Sequence, residues 1–271
     1  MIKITNDEFR LLANYIKECS GIHLKQEKKA LLMGRLTSLV TELQMESFMD
    51  FYDYLKKDDE GVVLSKVIDR ITTNHTYFMR ESEHFGYLQT EVLPFMKSTI
   101  KNRDLRVWCA ASSTGEEPYT LAMILEDYFG KEIVKWDKKL LATDISLDVL
   151  DTAKKGIYMK EKVDSIPKMW VVNYFNKLDT MSYQIKEHMR SQVIYRRFNL
   201  LEQNFPFKAK FHVIFCRNVM IYFDNKTKEE LINKFYNALE YGGYLFIGHS
   251  ESIDRNKTQL KYIKPAVYRK V

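Results

Sequence analysis

Apolar positions along this chain change their spacing once, sharply. Up to residue 71 they recur every three or four residues: Phe9, Leu12, Ala13 and Ile16 share one face, and so do Leu32, Leu36, Leu39, Val40 and Leu43. Phe48, Phe51, Tyr52 and Leu55 make a third stripe, and Val63, Val67 and Ile71 a fourth. That period is helical. Thr5 or Asn6 can cap the first helix and Gly21 ends it, Ser47 caps the third, and Asp58-Asp59-Glu60-Gly61 reads as a turn. Residues 1–72 are therefore predicted to form a small helical bundle.

From 105 onward, apolar runs of strand length alternate with amphipathic helical stretches. The strands fall at 105–110, 139–143, 193–198, 211–216 and 244–248, with helices at 119–129, 146–156 and 228–239 and a last strand within 262–270. Such alternation predicts an α/β fold with a mostly parallel, doubly wound sheet. Residues 157–192 interrupt it, and 171–175 and 182–186 read as strands of a small antiparallel insertion at about 160–192. Between the two parts, 73–104 form a linker segment and a connecting helix carrying Phe85, Leu88, Val92, Phe95 and Met96.

The loop after the first strand, Ala111-Ser112-Ser113-Thr114-Gly115-Glu116-Glu117-Pro118, has the small residues that allow close backbone approach, and Pro118 suits a first helical turn. One glycine is too few for a dinucleotide fingerprint, and the Gly-Lys-Ser/Thr of a phosphate loop is missing. Glu116 and Glu117 would repel phosphate, but either can accept hydrogen bonds from hydroxyls or an ammonium. Asp144, at the end of the second strand, is placed for the two hydroxyls of a ribose, with a helix cap as the plain alternative. Gly115, Asp144, Asn199 and Asn218 each end a strand, and in a parallel sheet they should meet on one rim. Thr72 to Glu81 concentrate hydrogen-bonding side chains, aromatics and Arg80 beside that rim.

Composition narrows the picture. Hydrophobic residues make up 45% and charged residues 29%, as in soluble globular chains. No apolar run approaches the ~20 residues of a membrane span, and the start lacks a signal-peptide core, so a cytoplasmic protein without membrane insertion is expected. Cys19, Cys109 and Cys216 are widely spaced, reduced and without metal spacing, and the six histidines lack a His-Glu-x-x-His pattern; no metal is expected. The net charge of +6 suits an acidic partner, either nucleic acid or a carboxylate-rich protein. Lys25, Lys28, Lys29 and Arg35 give the second helix a basic face, which is either a docking surface or simply solvated.

Several segments carry a family signature in order: Thr73-Asn74-His75-Thr76-Tyr77-Phe78-Met79-Arg80-Glu81, then 111–119, Ala142-Thr143-Asp144-Ile145, Asn199-Leu200, Phe215-Cys216-Arg217-Asn218-Val219-Met220-Ile221-Tyr222-Phe223, and Gly248-His249-Ser250-Glu251. Over essentially its whole length the chain resembles the CheR-type chemotaxis receptor methyltransferases. The resemblance implies a Rossmann-like methyltransferase domain at 105–271 and an S-adenosylmethionine-dependent enzyme that methylates glutamates on the cytoplasmic helices of chemoreceptors. It places cofactor contacts on Asn74, Thr76, Arg80, Glu117, Asp144, Asn199, Leu200, Arg217 and Asn218, and catalytic roles on Arg80 and Tyr222. Receptor docking falls to Lys28, Lys29 and Arg35, and a monomer that binds no nucleic acid is expected. Phe78-Met79 replaces the family's usual pair of phenylalanines. Members that hold a pentapeptide tether of the receptor carry a glycine in the insertion loop; 176–181 has none, which disfavours a tether and favours direct docking on the helix bundle.

A glutamate acceptor, with an ordinary pKa of ~4.3, is already ionised at neutral pH, so its methylation requires no general base. That agrees with strand ends that offer no catalytic triad or acid–base pair. Two other classes remain at this stage: a nucleic-acid methyltransferase, disfavoured because 217–220 reads Arg-Asn-Val-Met and not Asn/Asp-Pro-Pro-aromatic, and a non-catalytic cofactor-binding regulator.

Overall fold

The computed structural model describes residues 2–73 and 75–271, and their side chains apart from those of Lys131, Ile133 and Val134. The predicted helices open it: α1 (Asn6–Ser20), α2 (Lys29–Glu42), α3 (Phe48–Leu55) and α4 (Val62–Ile71). Their ends follow from local chemistry. Thr5 caps α1 with a capping box: its hydroxyl accepts from the Glu8 amide, and the Glu8 carboxylate accepts from the Thr5 amide at 2.7 Å. Gly21 stops the helix at φ +77°, and a Cβ there would press on the Phe223 ring at 3.1 Å, so conformation and space both demand glycine. A connecting pair follows, α5 (Ser82–Tyr87) and α6 (Leu93–Thr99), joined by a π turn at Leu88–Val92. Pro94 can neither donate nor tolerate the carbonyl four residues back, and the ladder widens just before it.

The α/β part runs β1 (Val107–Cys109), α7 (Glu116–Phe129), β2 (Leu140–Asp144) and α8 (Leu147–Lys155). The insertion then contributes β3 (Ile157–Met159), α9 (Lys160–Val163), α10 (Lys168–Tyr174), β4 (Phe175–Lys177), β5 (Ser182–Ile185) and α11 (Glu187–Arg190). The main sheet resumes with β6 (Val193–Arg197), β7 (Phe211–Cys216), α12 (Asn225–Ala238), β8 (Leu239–Ile247), β9 (Lys261–Lys264) and β10 (Val267–Arg269). Its order is β6-β2-β1-β7-β8-β10-β9, with the first five strands parallel and the last two an antiparallel hairpin. The connections after β1 and after β7 lead to opposite sides of the sheet, so a crevice opens at the carboxyl ends of these two paired strands.

Strand periodicity sorts the core into two layers. Val107 and Cys109 face a layer with α5, α6, α7 and the insertion, whereas Trp108 and Ala110 face one shared with α1 to α4 and α12. Along β7, Val213 and Phe215 join the first layer and Ile214 and Cys216 the second. The N-terminal helices thus cover one face of the sheet.

Two sequence readings give way. Residues 171–175 were expected as a strand, but 168–174 form α10 and the strand begins at Phe175. Pro167 starts the helix, and Trp170 and Tyr174, one turn apart, pack ring against ring at 6.2 Å, overriding the β-preference of Val171-Val172. The small sheet, of order β3-β5-β4, also opens earlier than expected, at Ile157. The expected last strand is a hairpin, because Pro265 cannot donate to a ladder and Ala266 turns at φ +61°.

Candidate active site

Every described residue of the expected cofactor set lines one pocket at the carboxyl ends of β1, β2, β6 and β7: Thr76, Arg80, Glu117, Asp144, Asn199, Leu200, Arg217 and Asn218, with Tyr222. Asn74 lies outside the described residues. Ser20, Ile22, Ile68 and Thr72 from the N-terminal helices complete the wall.

At one end stands Asp144. Its Oδ2 accepts from the Ser113 amide at 2.9 Å and its Oδ1 from the Ser146 amide at 3.1 Å. Ser146 is the side-chain cap of α8, so Asp144 is released from capping, and its remaining lone pairs can accept from hydroxyls. Burial pushes the Asp144 carboxyl up to about 6, against the pull of the two amides. Ser113 adopts φ +46° to deliver its amide, and the buried hydroxyl oxygens of Ser112 and Ser113 have no hydrogen-bond partner among the described residues. Buried polar atoms of this kind beside a half-buried carboxylate fit a hydroxyl-bearing ligand. Ile145, Phe198 and Leu200 add an apolar wall suited to a base.

The other end is ionic. Arg217, with a side chain only 1% exposed, donates Nη1 to Glu117 Oε2 at 2.6 Å, Nη2 to Glu81 Oε2 at 3.0 Å and Nη2 to the Arg80 carbonyl. Glu117 Oε1 also accepts from the Cys109 thiol at 3.1 Å. Arg217 thus lines the pocket as expected and is at the same time an internal countercharge to Glu117 and Glu81. Of the two glutamates left open by the sequence, Glu117 faces the pocket. Glu116 is fully buried and turns toward the insertion, where it pairs with Lys162 and accepts from Thr114 Oγ1 at 2.6 Å.

Gly115 also has a role different from the expected one. At φ +98°, a Cβ on it would come within 2.7 Å of the Tyr158 hydroxyl and 2.8 Å of Ala153. It makes room for protein, not ligand. Tyr158 closes the contact by donating to the Thr114 carbonyl at 2.7 Å.

At the exposed rim, Arg80 donates to the His75 carbonyl at 2.5 Å and lies 6.0 Å from the Tyr77 ring centre. Tyr222 accepts from the Thr73 amide at 3.0 Å, binding the linker to the loop after β7. Asn199 lines the pocket but is largely a tie: Nδ2 donates to the Cys19 carbonyl at 2.7 Å and Oδ1 accepts from the Leu201 amide. The basic set stands apart from the pocket and divides. Lys28 is exposed, Lys29 donates to Asn6 Oδ1 at 2.6 Å, and Arg35 donates to the Arg70 and Thr72 carbonyls at 3.1 and 2.9 Å. Arg35 thereby closes the C-terminal end of α4 through Nη1.

Two acids escaped assignment from sequence. Glu251 accepts from the amides of Gly248 (2.6 Å), Asn218 (3.0 Å) and Ile221 (3.2 Å), pinning the loop after β7. Burial raises its carboxyl despite those amides. Glu81 bonds Arg217, Asn218 and the His249 amide. Both lie inside quoted motifs; the missing signal was three-dimensional.

A buried carboxylate beside unpartnered hydroxyls, an acidic opposite end and a crevice at the switch point of the sheet fit the class of Rossmann-like transferases. Two family models match the chain and make the class specific: "CheR methyltransferase, all-alpha domain" over residues 7–72 and "CheR methyltransferase, SAM binding domain" over 74–269. The chain belongs to the CheR methyltransferase family and is an S-adenosylmethionine-dependent methyltransferase. A chemotaxis protein methyltransferase of Borreliella burgdorferi is 43% identical over 99% of this chain and 96% of its own length. Its Escherichia coli counterpart is 31% identical over 98% and 92%. Chemotaxis protein methyltransferase 2 of Vibrio cholerae is 32% identical over 94% and 88%.

Proposed function

We propose that this chain converts glutamate side chains on the cytoplasmic helices of chemotaxis receptors to methyl esters, acting in the cytoplasm in sensory adaptation. The observation that carries this reading is the polarity of the pocket: carboxylates line its depth, while a cation, Arg80, and a phenol, Tyr222, stand at its exposed rim. A carboxylate acceptor fits that rim. S-adenosylmethionine, when bound, supplies a methyl group activated by a sulfonium. Asp144 would hold the ribose hydroxyls, Glu117 the ammonium of the methionine end, and Ile145, Phe198 and Leu200 the adenine. Arg80 would leave the His75 carbonyl for the acceptor carboxylate, a charge-assisted bond that fixes its direction of approach. No proton moves, because the acceptor is ionised before it arrives. Alignment and exclusion of water remain for the protein, and such positioning can lower a barrier by ~7–11 kcal/mol. Tyr222 orients the acceptor or walls the methyl channel.

Docking would use the exposed Lys25 and Lys28 at the start of α2 against acidic receptor helices. The loop between β4 and β5 is closed by Asp179, whose Oδ1 accepts from the Met181 and Ser182 amides, and it contains no glycine. That favours docking on the helix bundle over capture of a tether. The test is transfer of labelled methyl from S-adenosylmethionine to receptor membranes and to RNA. An alkali-labile ester on the receptor is expected; label on RNA, or none, would sink the reading.

A further inference from the structure

Glu81 follows Arg80 in the linker and holds φ +55°, a left-handed conformation uncommon for a residue with a side chain. It stands at the start of α5, yet its carboxylate makes no cap bond there. The side chain reaches instead across the end of β7. Oε2 accepts from Arg217 Nη2 at 3.0 Å and Nε at 3.3 Å and from the His249 amide at 3.2 Å, while Oε1 accepts from Asn218 Nδ2 at 3.2 Å.

We propose that Glu81 is a positioning residue for cofactor binding: it neutralises the buried Arg217, so that Glu117 keeps its negative charge for the cationic end of S-adenosylmethionine. The count is short. Arg217 brings one positive charge and Glu117 one negative charge to the ionic end of the pocket, Glu81 adds a second negative charge from behind Arg217, and Arg80 stands apart at the rim on the His75 carbonyl. Without Glu81, the guanidinium and Glu117 would cancel each other. The site would then offer a neutral pair to a ligand bearing an ammonium, a sulfonium and one carboxylate. In a half-buried site, one uncompensated charge acts over several ångströms. Burial raises the Glu81 carboxyl, but the Arg217 charge and the Asn218 and Arg217 hydrogen bonds outweigh it and hold it below its ordinary value, so the carboxylate is ionised.

A metal is the competing use of these residues, since Glu81, His84 and His249 bring ligand atoms within 4.8 Å of one another. His84 is buried, and Glu81 Oε2 faces its Nδ1 at 3.5 Å. The same oxygen already accepts twice from Arg217, which sets a guanidinium where a cation would need the carboxylate. Burial, and after it the Arg217 charge, hold His84 at about 3, so the ring is neutral. The cluster answers Arg217.

The proposal rests on the assignment of Glu117 to the cofactor's ammonium, and the experiment separates the two. Calorimetry on the full chain measures affinity for S-adenosylmethionine, net charge +1, and for its product S-adenosylhomocysteine, net charge 0. Glu81→Gln keeps the shape and loses the charge; it should weaken S-adenosylmethionine at least 10-fold and the product by at least 3-fold less. Glu81→Asp should recover most of that loss. An equal loss for both ligands, no loss, or an Asp variant as poor as the Gln variant would overturn the proposal. Glu117→Gln serves as the control: unchanged affinity there removes the Glu117 assignment, whatever Glu81 does.

Discussion

The two ends of the pocket hold their carboxylates by opposite means. Asp144 is held by backbone amides alone and is pushed toward neutrality, whereas Glu117 and Glu81 share a buried guanidinium. The first end is therefore poised for neutral hydroxyls and the second for charge. The structural price differs too. Loss of the Asp144 charge weakens two amide bonds, whereas removal of Arg217 leaves two acids without their countercharge.

The largest effect expected from breaking this contrast comes from Arg217→Met. Removing one member of a buried ionic cluster costs about 3–5 kcal/mol, and denaturant titration should show it with or without cofactor. At the other end, Asp144→Asn should cut S-adenosylmethionine affinity roughly 10- to 100-fold, because hydrogen bonds to a charged group are worth ~1.5–3 kcal/mol, and should move the unfolding midpoint at pH 7 less than Arg217→Met does, since relief of a buried charge offsets the one amide from which Nδ2 cannot accept. Calorimetry and a melting curve on one sample decide it.

The same difference predicts opposite pH behaviour. The folded Asp144 carboxyl titrates near 6, above its unfolded value, so its contribution to stability is present at acid pH and is lost as pH rises through about 6. Cofactor affinity should move the other way and decline as pH falls through about 6; Asp144→Asn should flatten that profile. A wild-type profile already flat from pH 8 to 5 would remove Asp144 from the ribose. Smaller effects are expected away from the pocket. Lys25→Glu with Lys28→Glu should slow methylation of receptor membranes several-fold with cofactor affinity intact, whereas Arg35→Gln should cost ~1 kcal/mol of stability per lost carbonyl bond and leave docking alone.

The rim was legible because strand periodicity, end residues and short connections place Asp144 and Asn218 on one edge almost without choice. Helix caps were legible for the same local reason, at Ser47 outright and at Thr5 with Asn6 as the alternative. The insertion was not: a helix or strand at 168–174 depends on which rings find neighbours, and the β-branched pair Val171-Val172 points the wrong way. Partner choice was equally invisible. Nothing in the order of residues says that Arg217 turns to Glu81 across 136 positions, that Arg35 closes another helix, or that Gly115 yields to Tyr158.

The second core layer carries a further consequence for how this chain evolves and unfolds. Leu32, Leu36 and Phe51 belong to the same continuous buried cluster as Trp108, Ile214 and Phe235. The helical segment is thus no appendage that recombination can exchange freely, and melting should be one cooperative transition that unmakes helices and sheet together. The indole of Trp108, which donates to Thr143 at 2.9 Å one residue before Asp144, sits at the middle of that cluster as a built-in fluorophore for watching it happen.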